Sequence, residues 1–136
     1  MTFSKLQENE IGIIIDLTKR IWPVAYSDIL SKAQLDYMID LFYTEKALLD
    51  LIQNKHHVFY IAKNTAEQPV GFVSFELNAL PQQTKLHKLY VLPETQGKGV
   101  GKQLLTLALE IAKENNQKKL FLNVNKKTKH KHFTKK

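Results

Sequence analysis

No cysteine occurs in the 136 residues, which excludes disulfides, thiolate metal sites and a cysteine nucleophile. No apolar run approaches the ~18 residues that a membrane span needs. The first residues, Met1 to Glu8, carry neither the charged start nor the apolar stretch of a signal peptide. Together these absences predict a cytoplasmic protein with no membrane partner. Glycine is scarce, with five in the chain, yet three of the five fall at 97, 99 and 101. What is present is ordinary for a globular domain: 43% hydrophobic and 24% charged residues, which excludes disorder over most of the chain.

The net charge of +7 raises a nucleic-acid partner, and its distribution argues against one. Six lysines and no acid lie in residues 125–136, so residues 1–124 carry 14 basic and 13 acidic groups, a net of +1. A lysine-rich end attracts phosphate backbones only in a weak, salt-dependent way. Residues 1–124 therefore read as one domain and 125–136 as a solvated, disordered tail.

Residues 2–6 predict a short strand. Ile11, Ile14, Ile15, Leu17 and Ile21 recur at three- and four-residue spacing, which predicts a helix that Pro23 stops. Ser31 caps a second helix to Phe42, with Leu35, Met38, Ile39 and Phe42 inward. A third helix spans about 45–54. Residues 57–62 and 69–77 read as a hairpin around a polar turn, and 85–91 as the next strand. A glycine turn opens a helix over about 100–115, and 119–124 reads as a last strand. The order predicts an α/β domain with a mixed sheet, closed by a parallel strand–helix–strand unit.

The chemistry concentrates in residues 89–105, where a strand runs through Gln96-Gly97-Lys98-Gly99-Val100-Gly101-Lys102 into a helix. Backbone N–H groups at a helix start have no intrahelical partner and sit at the positive end of the helix dipole. Glycine lets a phosphate approach them, and Lys98 and Lys102 add charge. Rossmann spacing and the Walker pattern are both absent. The stretch predicts an anion site for a phosphate-bearing cofactor.

The hexapeptide Gln96 to Gly101 fits the pattern [RQ]-x-x-G-x-[GA], and Leu89-Tyr90-Val91-Leu92-Pro93 precedes it. With Leu122-Asn123-Val124-Asn125 one strand later, the chain resembles the GCN5-related N-acetyltransferases (GNAT). The resemblance implies an acetyl-CoA N-acyltransferase fold, with the pyrophosphate on the amides of Gly97 to Lys102 and the pantetheine beside Leu89, Tyr90 and Val91. Gln96 and Asn123 belong to the same implied cofactor site. It further implies that the backbone amide of Leu89 or Tyr90 holds the thioester oxygen, that no metal is needed, and that a base takes the proton of an amine acceptor. His87 and Glu76 are the candidate bases. Trp22 and Tyr26, at the expected break in the first helix, are candidate substrate contacts, whereas helical spacing places Tyr37 in the core. His56 and His57 are adjacent and face opposite sides of a strand, which makes them a poor metal pair.

Beyond Asn125 the chain departs from the family's pattern N-K-x-N-x-A-x-x-F-Y-x-K-x-G-F. The family's last helix, its tyrosine acid and its final strands are not recognisable in residues 126–136. One adenine restored in the codons of Lys126 and Lys127 permits K-K-N-K-A-Q-T-F-Y-E-K, so a frameshift is the expected origin of the lysine-rich end. The strand over 119–124 is then expected to leave an apolar edge open, inviting strand exchange between two copies. The function implied is acetyl transfer from acetyl-CoA to a primary amine of a polyamine-like small molecule or a peptide. The alternative is a protein that binds CoA without turning it over.

Overall fold

The computed structural model describes residues 1–122 and the backbone of residues 131–134. Six strands form one sheet in the order β1-β2-β3-β4-β5-β6: β1 Thr2–Lys5, β2 Val58–Lys63, β3 Pro69–Leu80, β4 Gln83–Val91, β5 Lys119–Leu122 and β6 Lys131–Thr134. Helices α1 (Ile11–Ala25), α2 (Lys32–Phe42) and α3 (Glu45–Asn54) lie between β1 and β2, and α4 (Val100–Glu114) connects β4 to β5. β4 and β5 are parallel, and every other neighbouring pair is antiparallel.

Alternation along the strands assigns the two faces. Phe59 and Ile61 of β2 share one face with Phe72, Ser74 and Glu76 of β3 and Tyr90 of β4, and His57 just before β2 continues it. α1 packs there, its Trp22 ring 6.1 Å from that of Tyr90. The other face carries Val73, Phe75, Leu89 and Val91 and meets α4, whose Leu104 and Ala108 are fully buried. Among the described residues no helix is long and apolar enough to cross a membrane.

Three local expectations are corrected. α1 continues through Pro23 to Ala25. The proline sits on the exposed side two residues from the helix end, and Tyr26 N–H still closes the last turn on the Trp22 carbonyl at 2.9 Å. On α2 the inward aromatic is Tyr43, at the C-cap and 3% exposed, while Phe42 and Tyr37 face solvent at 49% and 68%. Leu35, Ile39 and Tyr43 follow one another at four-residue spacing along the covered side, with Tyr43 N–H closing the last turn on the Ile39 carbonyl, and Phe42 lies off that line. Finally, β6 pairs antiparallel with β5 from Lys119↔Thr134 to Leu122↔Lys131. Residues 131–134 are therefore a strand rather than a disordered end. The outer edge of β5 is covered, which removes the open edge from which strand exchange was expected.

A buried polar clamp fixes where β4 and β5 meet. Gln117, 6% exposed, accepts from Thr84 Oγ1 at 3.0 Å and from the Asn78 N–H at 2.9 Å. Its amide donates to Asn78 Oδ1 at 2.9 Å and to the Asn115 carbonyl at 3.2 Å. Lys118 N–H adds a 2.7 Å bond to the Gln82 carbonyl. All of this lies at one end of the strand pair, and the site lies at the other.

Candidate active site

β4 and β5 pair only over Gln83–Lys85 and Lys119–Phe121. From Leu86 to Val91 the β5-facing side of β4 has no strand partner among the described residues. Leu92 N–H donates to the Val70 carbonyl at 2.8 Å, toward β3. Alternation along an antiparallel pair then turns the N–H of Tyr90 toward β3 and those of Leu89 and Val91 toward the opening.

The opening leads to the N-terminus of α4. No side chain caps this helix, and its first intrahelical bond runs from Gln103 N–H to the Gly99 carbonyl at 3.0 Å. The N–H groups of Val100, Gly101 and Lys102 thus remain available to an anion. Gly97 and Gly99 are left-handed, at φ +88° and +79°, and a Cβ on either would meet nothing within 4 Å. The space in front of the loop is open, and only glycine adopts the turn without strain. Gln96 folds its amide back to the Val91 carbonyl at 3.3 Å, tying the loop to the end of β4.

A cavity of about 470 Å³ joins these features. It is lined by Leu89, Val91 and Gln96 on one side and by Gly97, Gly99, Val100, Gly101 and Lys102 on the other. Eight of the eleven sequence-predicted cofactor residues therefore meet around one space. Lys98 is exposed beside it and does not line it. The Tyr90 side chain turns to the α1 face, where its hydroxyl lies 3.0 Å from that of Tyr26. Asn123 lies outside the described residues.

The candidate bases are brought together on the α1 face. The β3–β4 register shifts by one residue between Ser74 and Phe75, and His87 is the extra residue of that bulge. Its Nε2 lies 3.0 Å from Glu76 Oε1. His57, 9% exposed, stacks on His87 with ring centroids 3.9 Å apart and planes 17° from parallel. Burial pushes the His57 pKa down to about 4, helped by repulsion from a charged His87 and from Lys88, against the attraction of Glu76. Burial also lowers the pKa of His87, opposed by its hydrogen bond to Glu76. Both rings are neutral near pH 7.

The donor atoms of His57, Glu76 and His87 lie within 4.8 Å of one another, close enough to suggest a metal site. The stack opposes it. A histidine lone pair lies in its ring plane, and one ion cannot lie in the planes of two stacked rings only 17° from parallel while keeping bonds near 2.0–2.1 Å to both.

Trp22 is 6% exposed and packs edge-on against Tyr26 and Tyr43, both at 5.2 Å between centroids. Lys88, a neighbour that sequence reasoning passed over, extends over the Tyr43 ring with Nζ 5.3 Å from its centroid. Burial lowers its pKa. Its position beside the glycine loop's own strand was a usable signal, since lysine recurs at 85, 88, 98 and 102 around the site. His57 gave no such signal: its partner is thirty residues away.

A mixed sheet of this order, parted at its parallel pair beside a glycine-rich helix start, is the acyl-CoA N-acyltransferase fold. The family model described as Acetyltransferase (GNAT) family matches residues 14–133, so the chain belongs to that family. A spermidine N(1)-acetyltransferase from Thermoplasma acidophilum is 26% identical over 113 residues, covering 81% of this chain and 69% of the relative. Among solved structures, the PaiA N-acetyltransferase from Thermoplasma acidophilum in complex with coenzyme A superposes with a TM-score of 0.79 at 23% identity, covering 93% of this chain and 81% of that one. A GNAT-family acetyltransferase from Staphylococcus aureus Mu50 superposes with a TM-score of 0.69 at 17% identity, covering 90% and 73%. Both structures share the fold.

Proposed function

We propose that the protein transfers an acetyl group from acetyl-CoA to a primary amine of a small molecule or peptide. The observation that carries this reading is the uncapped, glycine-rich start of α4 beside the parted strands β4 and β5. Bound acetyl-CoA supplies the activated thioester. The amides of Gly99 to Lys102 and the Lys102 ammonium suit its pyrophosphate. Leu89 is the better of the two candidate oxyanion donors, because its N–H faces the opening and that of Tyr90 faces β3. A donor aimed there stabilises the negative charge that builds on the thioester oxygen.

His87 is assigned as general base. Glu76 accepts from Nε2–H, which fixes the tautomer and leaves Nδ1 with its lone pair for the amine proton, directly or through one water. Loss of general-base help typically costs about 10²–10⁴-fold.

Spermidine is a natural first acceptor to try, given the relative named for it. Lys88 weighs the other way, because a cation half-buried on this face opposes a second positive charge nearby. Calorimetric titration with acetyl-CoA tests the cofactor, and thiol release with monoamines, polyamines and a peptide N-terminus tests the acceptor. The chain has no cysteine to add background. Saturable binding with amine-dependent thiol release is expected. No heat with acetyl-CoA overturns the proposal, and binding without release from any amine leaves only the CoA-binding alternative.

A further inference from the structure

We propose that His57 is a positioning residue for acetyl transfer: its ring closes the buried face of His87 and presses it edge-on to Glu76, fixing the orientation of the base. The proposal rests on the assignment of His87 as base, and it adds a residue that touches neither cofactor nor amine.

The geometry is specific. His87 sits on a bulge, where strand pairing alone does not fix its side chain. Two contacts remain to fix it. Glu76 Oε1 lies 3.0 Å from Nε2, and His57 stacks on the ring face with centroids 3.9 Å apart. His57 is itself anchored, its backbone N–H donating to the Leu51 carbonyl at 2.9 Å and the residue 9% exposed. Its Nδ1 has no hydrogen-bond partner among the described residues. On that buried side the ring meets its neighbours as a flat surface rather than through a hydrogen bond.

A flat plate also keeps water from the rear of His87. The charged groups that bear on the pair are Glu76 on β3 and Lys85 and Lys88 on β4. The lysines and the burial oppose a charge on His87, and Glu76 favours it. Removing the plate admits water, so His87 accepts a proton at higher pH and spends more of its time unable to act as base.

Two variants separate the plate from the nitrogens. His57→Phe keeps a flat ring of similar size, whereas His57→Ala removes it. The readouts are the pH profile of acetyl-CoA-dependent thiol release and the imidazole titration of His87 followed by NMR in the protein without substrate. For His57→Ala the expected result is a kcat about 10- to 100-fold lower, with the KM for acetyl-CoA unchanged, because a misplaced catalytic group costs that order. Its acidic limb and the NMR midpoint of His87 should both move up toward 6.5, and His57→Phe should restore kcat and both pH values.

An alanine variant that loses activity with the His87 midpoint unmoved indicates general structural damage and overturns the proposal. A phenylalanine variant as impaired as alanine also overturns it, since the nitrogens then matter, as ligands if a chelator inactivates the wild type. The NMR titration judges the plate even if no amine turns over, so its failure is distinct from failure of the acetyl-transfer assignment.

Discussion

Gly99→Glu tests the anion site at the start of α4. Gly99 is the N-cap of α4 at φ +79°, ψ +9°. A side chain there costs about 1–2 kcal/mol in left-handed strain. It meets no steric obstacle, because a Cβ has nothing within 4 Å. The variant should therefore fold, with a modest drop in melting temperature. Binding suffers far more, since the new side chain fills the space through which a phosphate reaches the helix start. Losing two charge-assisted hydrogen bonds of about 1.5–3 kcal/mol each removes on the order of 3–6 kcal/mol. A carboxylate about 5 Å from one phosphate charge adds roughly 3 kcal/mol of repulsion at an effective dielectric near 20, less under salt screening. A loss of at least about 10²-fold in CoA affinity follows. Gly99→Ala should share the strain and lose less affinity. Gly101→Ala should be better tolerated than either, because its Cβ would sit 3.7 Å from Val91 Cγ2 in right-handed helix. Calorimetry with CoA, beside thermal melts, ranks the three. A folded Gly99→Glu protein that binds CoA within about threefold of the wild type would falsify the placement of the pyrophosphate at this helix.

Other outcomes follow from single contacts. Gly71→Ala puts a Cβ 2.8 Å from the Tyr90 carbonyl oxygen and 3.3 Å from Val91 Cα, so β3 and β4 must move apart; a loss of about 1–3 kcal/mol is expected in urea unfolding, and an unchanged midpoint would refute the clash. Gln117→Leu leaves Asn78 and Thr84 without their shared acceptor and should cost about 2–4 kcal/mol, read as a lowered Tm. Acid should destabilise the fold early. Because His57 takes its proton near pH 4 when folded and near 6.5 when unfolded, stability is complete above about pH 6.5 and falls as pH drops toward 4. The shift corresponds to about 3 kcal/mol, and partial solvent access at the pair reduces this to about 2. His57→Phe should flatten that slope in urea titrations at pH 7, 5.5 and 4.5, and an equal slope in both proteins would assign the acid sensitivity elsewhere.

The two halves of the site differ in how far the sequence reveals them, and the difference is one of contact distance. The anion loop is local. Gln96 to Lys102 are consecutive, and their glycine spacing, lysines and helix start can be read together. The structure assembles all of them but Lys98 around one cavity, with left-handed backbone at Gly97 and Gly99. The helices and strands were legible for the same reason, down to the Ser31 cap, whose hydroxyl accepts from Gln34 N–H at 3.2 Å. Misses began where a position depends on what lies opposite. Tyr37 and Phe42 fit an apolar periodicity that extends beyond the face actually covered, and Pro23 is tolerated because its side of α1 meets solvent. The His57–His87–Glu76 group shows the limit most clearly. Its members come from three neighbouring stretches of the sheet, and their meeting depends on strand register. A shift of one residue reverses the face of every side chain that follows it. Without the bulge at His87 the alternation from Tyr90 and Lys88 would carry residue 86, not 87, to the α1 face. The histidine beside Glu76 is thus set by an irregularity in pairing, which no local pattern in the chain announces. Both candidate bases could be named from their strands, but the ring that backs one of them could be found only from the fold.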